Sequence, residues 1–439
     1  MAQVNPFATF LRYRGPPVGA LLVLLLTWTA LPVDAAEDTV GLNAPEQNEK
    51  PYLVLVSIDG FRWDYPELAE TPALDRIAAL GLKAEALQPV FPTLTFPNHF
   101  SIATGRLPGQ HGLVANIFPD EHRQRWYRYK DRSAVQDGGW YLAEPIWVTA
   151  ERAGMLTAAF YFVGTEADVG GIRPTHWRPF NGDISGEDRV RQVLDWLAEP
   201  PESRPHFVTL YFEDVDEASH DYGPGSPESL AAIRAVDRQV GQLLDGIAAL
   251  PHGGSIYLLL VSDHGAAGYR GDREPLVLDR LVDLTGTEAV DGGPYVYLYF
   301  DAEATGRIDS VRDAINAHWD CGRAMRPADT PAAWQLGDSR RFADLLVQAD
   351  LGCAVLSSDS KSSKITPGDH GWPPEAPEMR GIFYALGPSI APGSRTGILG
   401  VTELHPFMLS ILGLGATDGA GVMPAALSAA LGSARDSTN

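Results

Sequence analysis

Short apolar runs alternate with amphipathic stretches along most of the 439-residue chain. The first run, Tyr52–Ile58 (YLVLVSI), is continuous rather than alternating; it follows Pro51 and stops at Asp59-Gly60. A strand covered on both faces reads this way. Residues 157–163 (TAAFYFV), 207–212 (FVTLYF), 256–261 (IYLLLV) and 381–386 (GIFYAL) are runs of the same kind. Between them, apolar positions return at helical spacing. Residues 71–81 carry Leu74, Ile77, Ala78 and Leu80 on one face, and residues 227–250 carry Leu230, Ile233, Val236, Val240, Leu243 and Ile247. Residues 145–153, 188–198 and 402–414 also predict helices. Strands alternating with helices predict an α/β fold with a mostly parallel central sheet flanked by helices. Residues 117–145 and 164–184 show no clear period and predict irregular loops. Residues 267–365 are less regular than the rest and predict an insertion or elaboration, with a strand at 295–300 and a helix at 307–319.

The ends of the apolar runs carry the chemistry. Asp59 follows the first run, Asp216 lies just beyond 207–212, and Ser262-Asp263-His264-Gly265 follows 256–261. Open α/β sheets bind ligands at the carboxyl ends of their strands. Asp216 and His220 are four apart and share one face of a helical turn, so both can reach one ion. Gly265 permits the loop that would turn Asp263 and His264 to a common ion, and Gly368-Asp369-His370-Gly371 repeats the Asp-His-Gly signature. Thr95, in the stretch 91–99 (FPTLTFPNH), stands where a helix N-cap belongs, with Pro97 in the first turn. A hydroxyl there faces unpaired N–H groups, a place that suits a phosphate or an alkoxide attacking one. Each residue alone also reads as an ordinary cap, turn or surface group. Three carboxylates, three imidazoles and a hydroxyl together suit two zinc ions better than calcium or magnesium. Two ions about 4 Å apart can clamp the attacking and leaving oxygens of a phosphoryl transfer. His99, His111 and Asp369 read as supporting groups, and the Arg-rich residues 122–132 as a solvated loop.

Charge and the termini narrow the picture further. A net charge of −22 argues against a nucleic-acid polymer as partner. An acidic protein acting on an anionic small molecule needs local positive charge, which bound metal supplies. Residues 1–35 read as a cleaved signal peptide: Arg12 and Arg14 precede an apolar stretch at 18–33 too short to span a membrane comfortably, and Val33-Asp34-Ala35 resembles a cleavage site. An uncleaved anchor is the alternative. The expectation is a periplasmic or secreted enzyme with no other membrane segment. A polar leader at 36–50 precedes a catalytic domain at 51–415 and a small-residue tail at 416–439. Cys321 and Cys353 can form one disulfide in an oxidising compartment, the alternative being two separate buried thiols.

Six segments complete the reading: 56–60 (VSIDG), 92–99 (PTLTFPNH), 112–116 (GLVAN), 216–220, 262–265 (SDHG) and 368–371 (GDHG). In this order they resemble the nucleotide pyrophosphatase/phosphodiesterase family of the alkaline phosphatase superfamily, over about residues 52–415. The resemblance implies two Zn2+ per chain, one on Asp216, His220 and His370, the other on Asp59, Asp263, His264 and Thr95. It implies Thr95 as nucleophile, a nucleotidyl-threonine intermediate and a nucleoside 5′-monophosphate product. Asn116 would donate its amide N–H to a phosphate oxygen. Phe96 and Phe180 would stack a nucleobase, with Phe162 lining the same pocket. Relatives commonly carry Tyr at the second stacking place, so Phe180 keeps the stack and loses a hydroxyl. The alternatives are a diesterase for lysophospholipid or other head groups and a monoesterase of the same superfamily. The motifs place no Arg beside Thr95, which favours diesters.

Overall fold

The computed structural model describes residues 41–336, 339–415 and 422–431; the expected signal segment lies outside them. Among these residues two main sheets are built, in chain order, from β1 (Tyr52–Ile58), β2 (Leu82–Ala84), β3 (Thr157–Phe160), β4 (His176–Trp177), β5 (Phe207–Phe212), β6 (Ile256–Val261), β7 (Thr287–Asp291), β8 (Tyr295–Phe300), β9 (Gly322–Met325), β10 (Leu345–Ala349), β11 (Phe383–Leu386) and β12 (Ser394–Thr396). The central sheet runs β12-β2-β11-β6-β1-β5-β3-β4. β1 is apolar throughout because both of its faces are covered. Leu53 and Leu55 pack with the helices Thr95–Thr104, Ile146–Arg152 and Leu404–Leu412. Tyr52, Val54, Val56 and Ile58 pack on the opposite layer, formed by Pro72–Leu80, Gly186–Ala198 and Pro227–Ala249.

Register then sets the site. β1 lies between β5 and β6, parallel to both, with Ser57 opposite Tyr211 on one side and Val261 on the other. The three strands end together, so Asp59, the helix Asp214–Tyr222 and Ser262-Asp263-His264 emerge at one edge. β11 alone runs antiparallel to its neighbours β6 and β2.

Three expectations need correction. The run 157–163 stops being a strand at Phe160, because Tyr161 (φ 65°) and Phe162 (φ 152°) turn the backbone into the left-handed region. Residues 117–145 are ordered: Ile117–Asp120 pairs antiparallel with Arg125–Arg128, and short helical turns follow. Exposed arginines hide that period, but Phe118 and Tyr127 are buried, stacked with ring centroids 5.1 Å apart. The loop 164–184 contains β4, a two-residue edge strand.

Within 267–365, β7-β8-β10-β9 form an antiparallel sheet that carries the helix Ile308–His318 over its own apolar cluster, including Val296, Leu298, Ile315 and Val347. Cys321 and Cys353 are disulfide-bonded beside Trp372. No helix among the described residues is long and apolar enough to cross a membrane. Truncating the fully buried Leu55 to Ala in β1 is expected to cost about 2–5 kcal/mol, read as the shift in the urea unfolding midpoint.

Candidate metal centre and substrate cleft

Local backbone features bring the donors together. Gly60 has φ 64°, and a Cβ there would lie 2.8 Å from the Asp216 carboxylate. Glycine therefore lets the end of β1 turn while the helix Asp214–Tyr222 closes on it. Asp216 Oδ2 and His220 Nε2 lie 3.4 Å apart on one face of that helix. Gly371 (φ 105°) sits in the turn that follows His370.

The three imidazoles share one arrangement. His220 Nδ1 faces the Gly368 carbonyl oxygen at 3.0 Å, His264 Nδ1 that of Gly265 at 3.0 Å, and His370 Nδ1 that of Thr93 at 2.8 Å. A carbonyl oxygen only accepts, so Nδ1 carries a proton, and in the neutral ring Nε2 is left with a lone pair. His264 Nε2 meets Asp263 Oδ2 at 3.1 Å, Asp59 Oδ1 at 3.4 Å and Thr95 Oγ at 3.2 Å. Lone pair against carboxylate is repulsive unless a proton or cation lies between. Asp59 Oδ1, Asp216 Oδ1 and Asp263 Oδ2 are buried with no hydrogen-bond partner among the described residues. Burial and the Asp216 charge push the Asp263 carboxyl up to about 8, and burial holds His370 down at about 4. This donor set fits a metal centre: neutral imidazoles oriented by carbonyls, and carboxylates lacking counter-charge.

Among the described residues, three groups have ligand atoms within 4.8 Å of one another: Asp216, His264 and His370; His220, Asp369 and His370, which shares His370 with the first; and Asp59, His99 and Asp263. His264 and His370 stack with centroids 3.8 Å apart, linking the two halves. Sequence reasoning set His99 and Asp369 aside as supporting groups, and both lie against the donors. His99 Nδ1 is 2.9 Å from the Thr95 carbonyl oxygen and 3.2 Å from Asp263 Oδ2, while its Nε2 meets Ser57 Oγ at 2.8 Å. Asp369 accepts from Tyr269 Oη at 2.7 Å and from the His370 N–H at 2.8 Å. His111 bonds Ser101 Oγ and the Leu113 N–H, away from these groups.

Thr95 is the first helical residue, not the cap; Leu94 holds the cap position without a side-chain bond. The Thr95 hydroxyl is thus free of a capping bond. Asn98 holds the preceding loop, accepting from the Val90 N–H at 2.8 Å and donating to Pro92 O and Leu94 O. Asn116 Oδ1 accepts from the Phe96 N–H at 3.1 Å, which leaves its amide N–H2 facing the cleft.

The cleft, about 560 Å³, contains Thr95, Asn116, Phe96, Phe162 and Phe180 with Asp59, Asp216, His220 and His370 in its lining. Phe96 packs against Tyr129 (5.7 Å) and Phe180 against Tyr161 (5.0 Å). Lys130 and Arg132 also line it, so the Arg-rich segment is more than a solvated loop. Sequence reasoning missed Tyr211, whose hydroxyl donates to Asp59 Oδ2 at 2.5 Å. Its signal was a polar group inside an apolar strand, with Thr209 two residues earlier on the same face.

A family model described as type I phosphodiesterase/nucleotide pyrophosphatase matches residues 53–373. The chain belongs to this family. Human ectonucleotide pyrophosphatase/phosphodiesterase family member 7 is 30% identical over 417 residues, covering 91% of this chain and 86% of that protein. Mouse family member 1 is 30% identical over 381 residues, 84% of this chain; the chain spans only 42% of that protein's length. Among solved structures, an inactive variant of murine ectonucleotide pyrophosphatase/phosphodiesterase 5, in complex with AMP, matches with a TM-score of 0.79 and 28% identity, covering 85% of this chain and 98% of that one. The fold of this phosphodiesterase-family chain is therefore that of its structural neighbours.

The buried carboxylates make stability depend on pH. Burial raises Asp369 to about 7, and the Asp216 and Asp369 charges raise His220 against the opposing effect of its burial. Groups that hold protons more tightly when folded lose that stabilisation as pH rises through the folded value. Asp263, Asp369 and His220 act in the same direction from pH 6.5 to about 7, and Asp263 continues to act up to about 8. Chelator-treated protein is expected to show a falling Tm across that window, and saturating Zn2+ to flatten it.

Proposed function

We propose that the protein hydrolyses nucleotide phosphodiester and pyrophosphate bonds, giving nucleoside 5′-monophosphates, with two zinc ions and Thr95 as nucleophile. The observation that carries this is Thr95 Oγ, 3.2 Å from Nε2 of His264 beside buried carboxylates that lack counter-charge. Asp216, His220 and His370 would hold one ion, and Asp59, Asp263 and His264 the other, next to Thr95. When bound, the ions supply Lewis acidity and positive charge for the attacking and leaving oxygens.

The side chains do the rest. Thr95 Oγ, losing its proton to water, attacks phosphorus in line with the leaving group; the phosphorus–oxygen bond to that group breaks, releasing an alcohol or pyrophosphate, and water then cleaves the nucleotidyl-threonine ester to a nucleoside 5′-monophosphate and the free Thr95 hydroxyl. Asn116, its carbonyl fixed by the Phe96 N–H, aims its amide at a non-bridging oxygen where charge grows. Phe96 and Phe180 receive the base, and Phe162 closes the floor. His99 fixes the Thr95 carbonyl and thereby the first turn of the helix. Tyr211 fixes the second Asp59 oxygen. The murine neighbour with AMP supports a nucleotide as ligand, and the family match supports the bond type. The signal segment expected at 1–35 supports action in the periplasm or outside the cell.

Thr95→Ala is expected to lower ATP and bis-p-nitrophenyl phosphate turnover by at least about a thousandfold; near-wild-type rates would remove Thr95 as nucleophile. Phe96→Ala is expected to reduce kcat/KM for a nucleotide ester more than for the small aryl diester, by roughly the tenfold that one lost stack represents. Equal losses would return Phe96 to a packing role.

A further inference from the structure

Phe180 is 43% exposed at the rim of the cleft, yet its backbone is held by a carboxylate that is only 6% exposed. Glu166 Oε1 accepts the Phe180 N–H at 3.0 Å. Its Oε2 accepts from Gln136 Nε2 at 3.2 Å and pairs with the guanidinium of Arg132. Arg132 and Gln136 bound a short helical turn that follows Tyr129, and the Tyr129 ring packs on Phe96. One buried carboxylate therefore bridges from the Phe180 segment to the segment behind Phe96. A second tie, from Tyr161 Oη to the Asn181 carbonyl at 3.0 Å, anchors the next residue of the same segment. Charge-assisted bonds of this kind hold geometry more firmly than neutral ones.

We propose that Glu166 is a positioning residue for substrate selection: it joins the two walls of the cleft and so fixes how far apart the rings of Phe96 and Phe180 stand. A slot of fixed width favours a flat aromatic group and gives little to a substituent without one. Glu166 acts on the substrate through Phe180. The inference rests on the nucleotide reading above, since it assigns a structural cause to the preference that reading expects.

The test compares kcat/KM for a nucleotide p-nitrophenyl ester with that for methyl p-nitrophenyl phosphate, whose second substituent has no ring, in wild type, Glu166→Gln, Phe180→Ala and the double variant. Glu166→Gln is expected to lower the ratio of the two by about tenfold, chiefly through KM for the nucleotide ester, and to add nothing once Phe180 is Ala. Glu166→Asp should recover part of the ratio. Arg132→Ala, at the exposed end of the bridge, makes the same comparison if Glu166→Gln does not fold. An equal loss on both substrates, or a loss that persists in full in the Phe180→Ala background, overturns the positioning role. A wild-type preference that survives Glu166→Gln overturns this inference alone. No preference in wild type overturns the nucleotide reading and this inference with it.

Discussion

Three backbone carbonyls, those of Thr93, Gly265 and Gly368, govern the chemistry of this centre. Each takes the Nδ1 proton of one histidine, and so each commits Nε2 to facing the carboxylates as a lone pair. Without that constraint the imidazoles could turn protons toward Asp59, Asp216 and Asp263 and neutralise them as ordinary hydrogen-bonded pairs. With it, acceptor faces acceptor in a buried site, and the relief must come from a cation or from protons the carboxyls would not otherwise hold.

The register of β1, β5 and β6 is the scaffold for this arrangement. Donor side chains from three strand ends meet because the strands stop at the same level, while His370 arrives from a segment after the antiparallel sheet. That segment is tied down separately. Thr93 bonds the Trp372 carbonyl at 2.7 Å, and the Trp372 indole donates to the Cys353 carbonyl at 3.0 Å, next to the disulfide.

Much of this was legible in the sequence because both relevant signals are local. Continuous apolar runs announced β1, β5 and β6, and the residues immediately after them announced the donors. The misses have nonlocal causes. Tyr161 and Phe162 continue an apolar run, and only tertiary packing shows that their backbone has left the strand. The hairpin at 117–128 is masked by its exposed arginines, and a buried tie that holds it, Arg341 on Asp120 at 2.7 Å, comes from far along the chain. Tyr211 and Glu166 act on residues distant in sequence, Asp59 and Phe180 in one case adjacent only through the sheet, in the other only through the cleft wall. The local pattern puts Thr95 at the cap, whereas it is the first helical residue, a one-position shift that leaves its hydroxyl free of a capping bond and facing His264.

Gly60 has one more consequence. The Asp216 carboxylate, Cβ and Cα occupy the volume where any other residue at 60 would carry a side chain, so the strand end sits directly against Asp216. A side chain at position 60 would push the helix Asp214–Tyr222, with Asp216 and His220 on it, away from Asp59 at the strand end. One missing Cβ therefore decides how closely the carboxylates of two separate elements can approach.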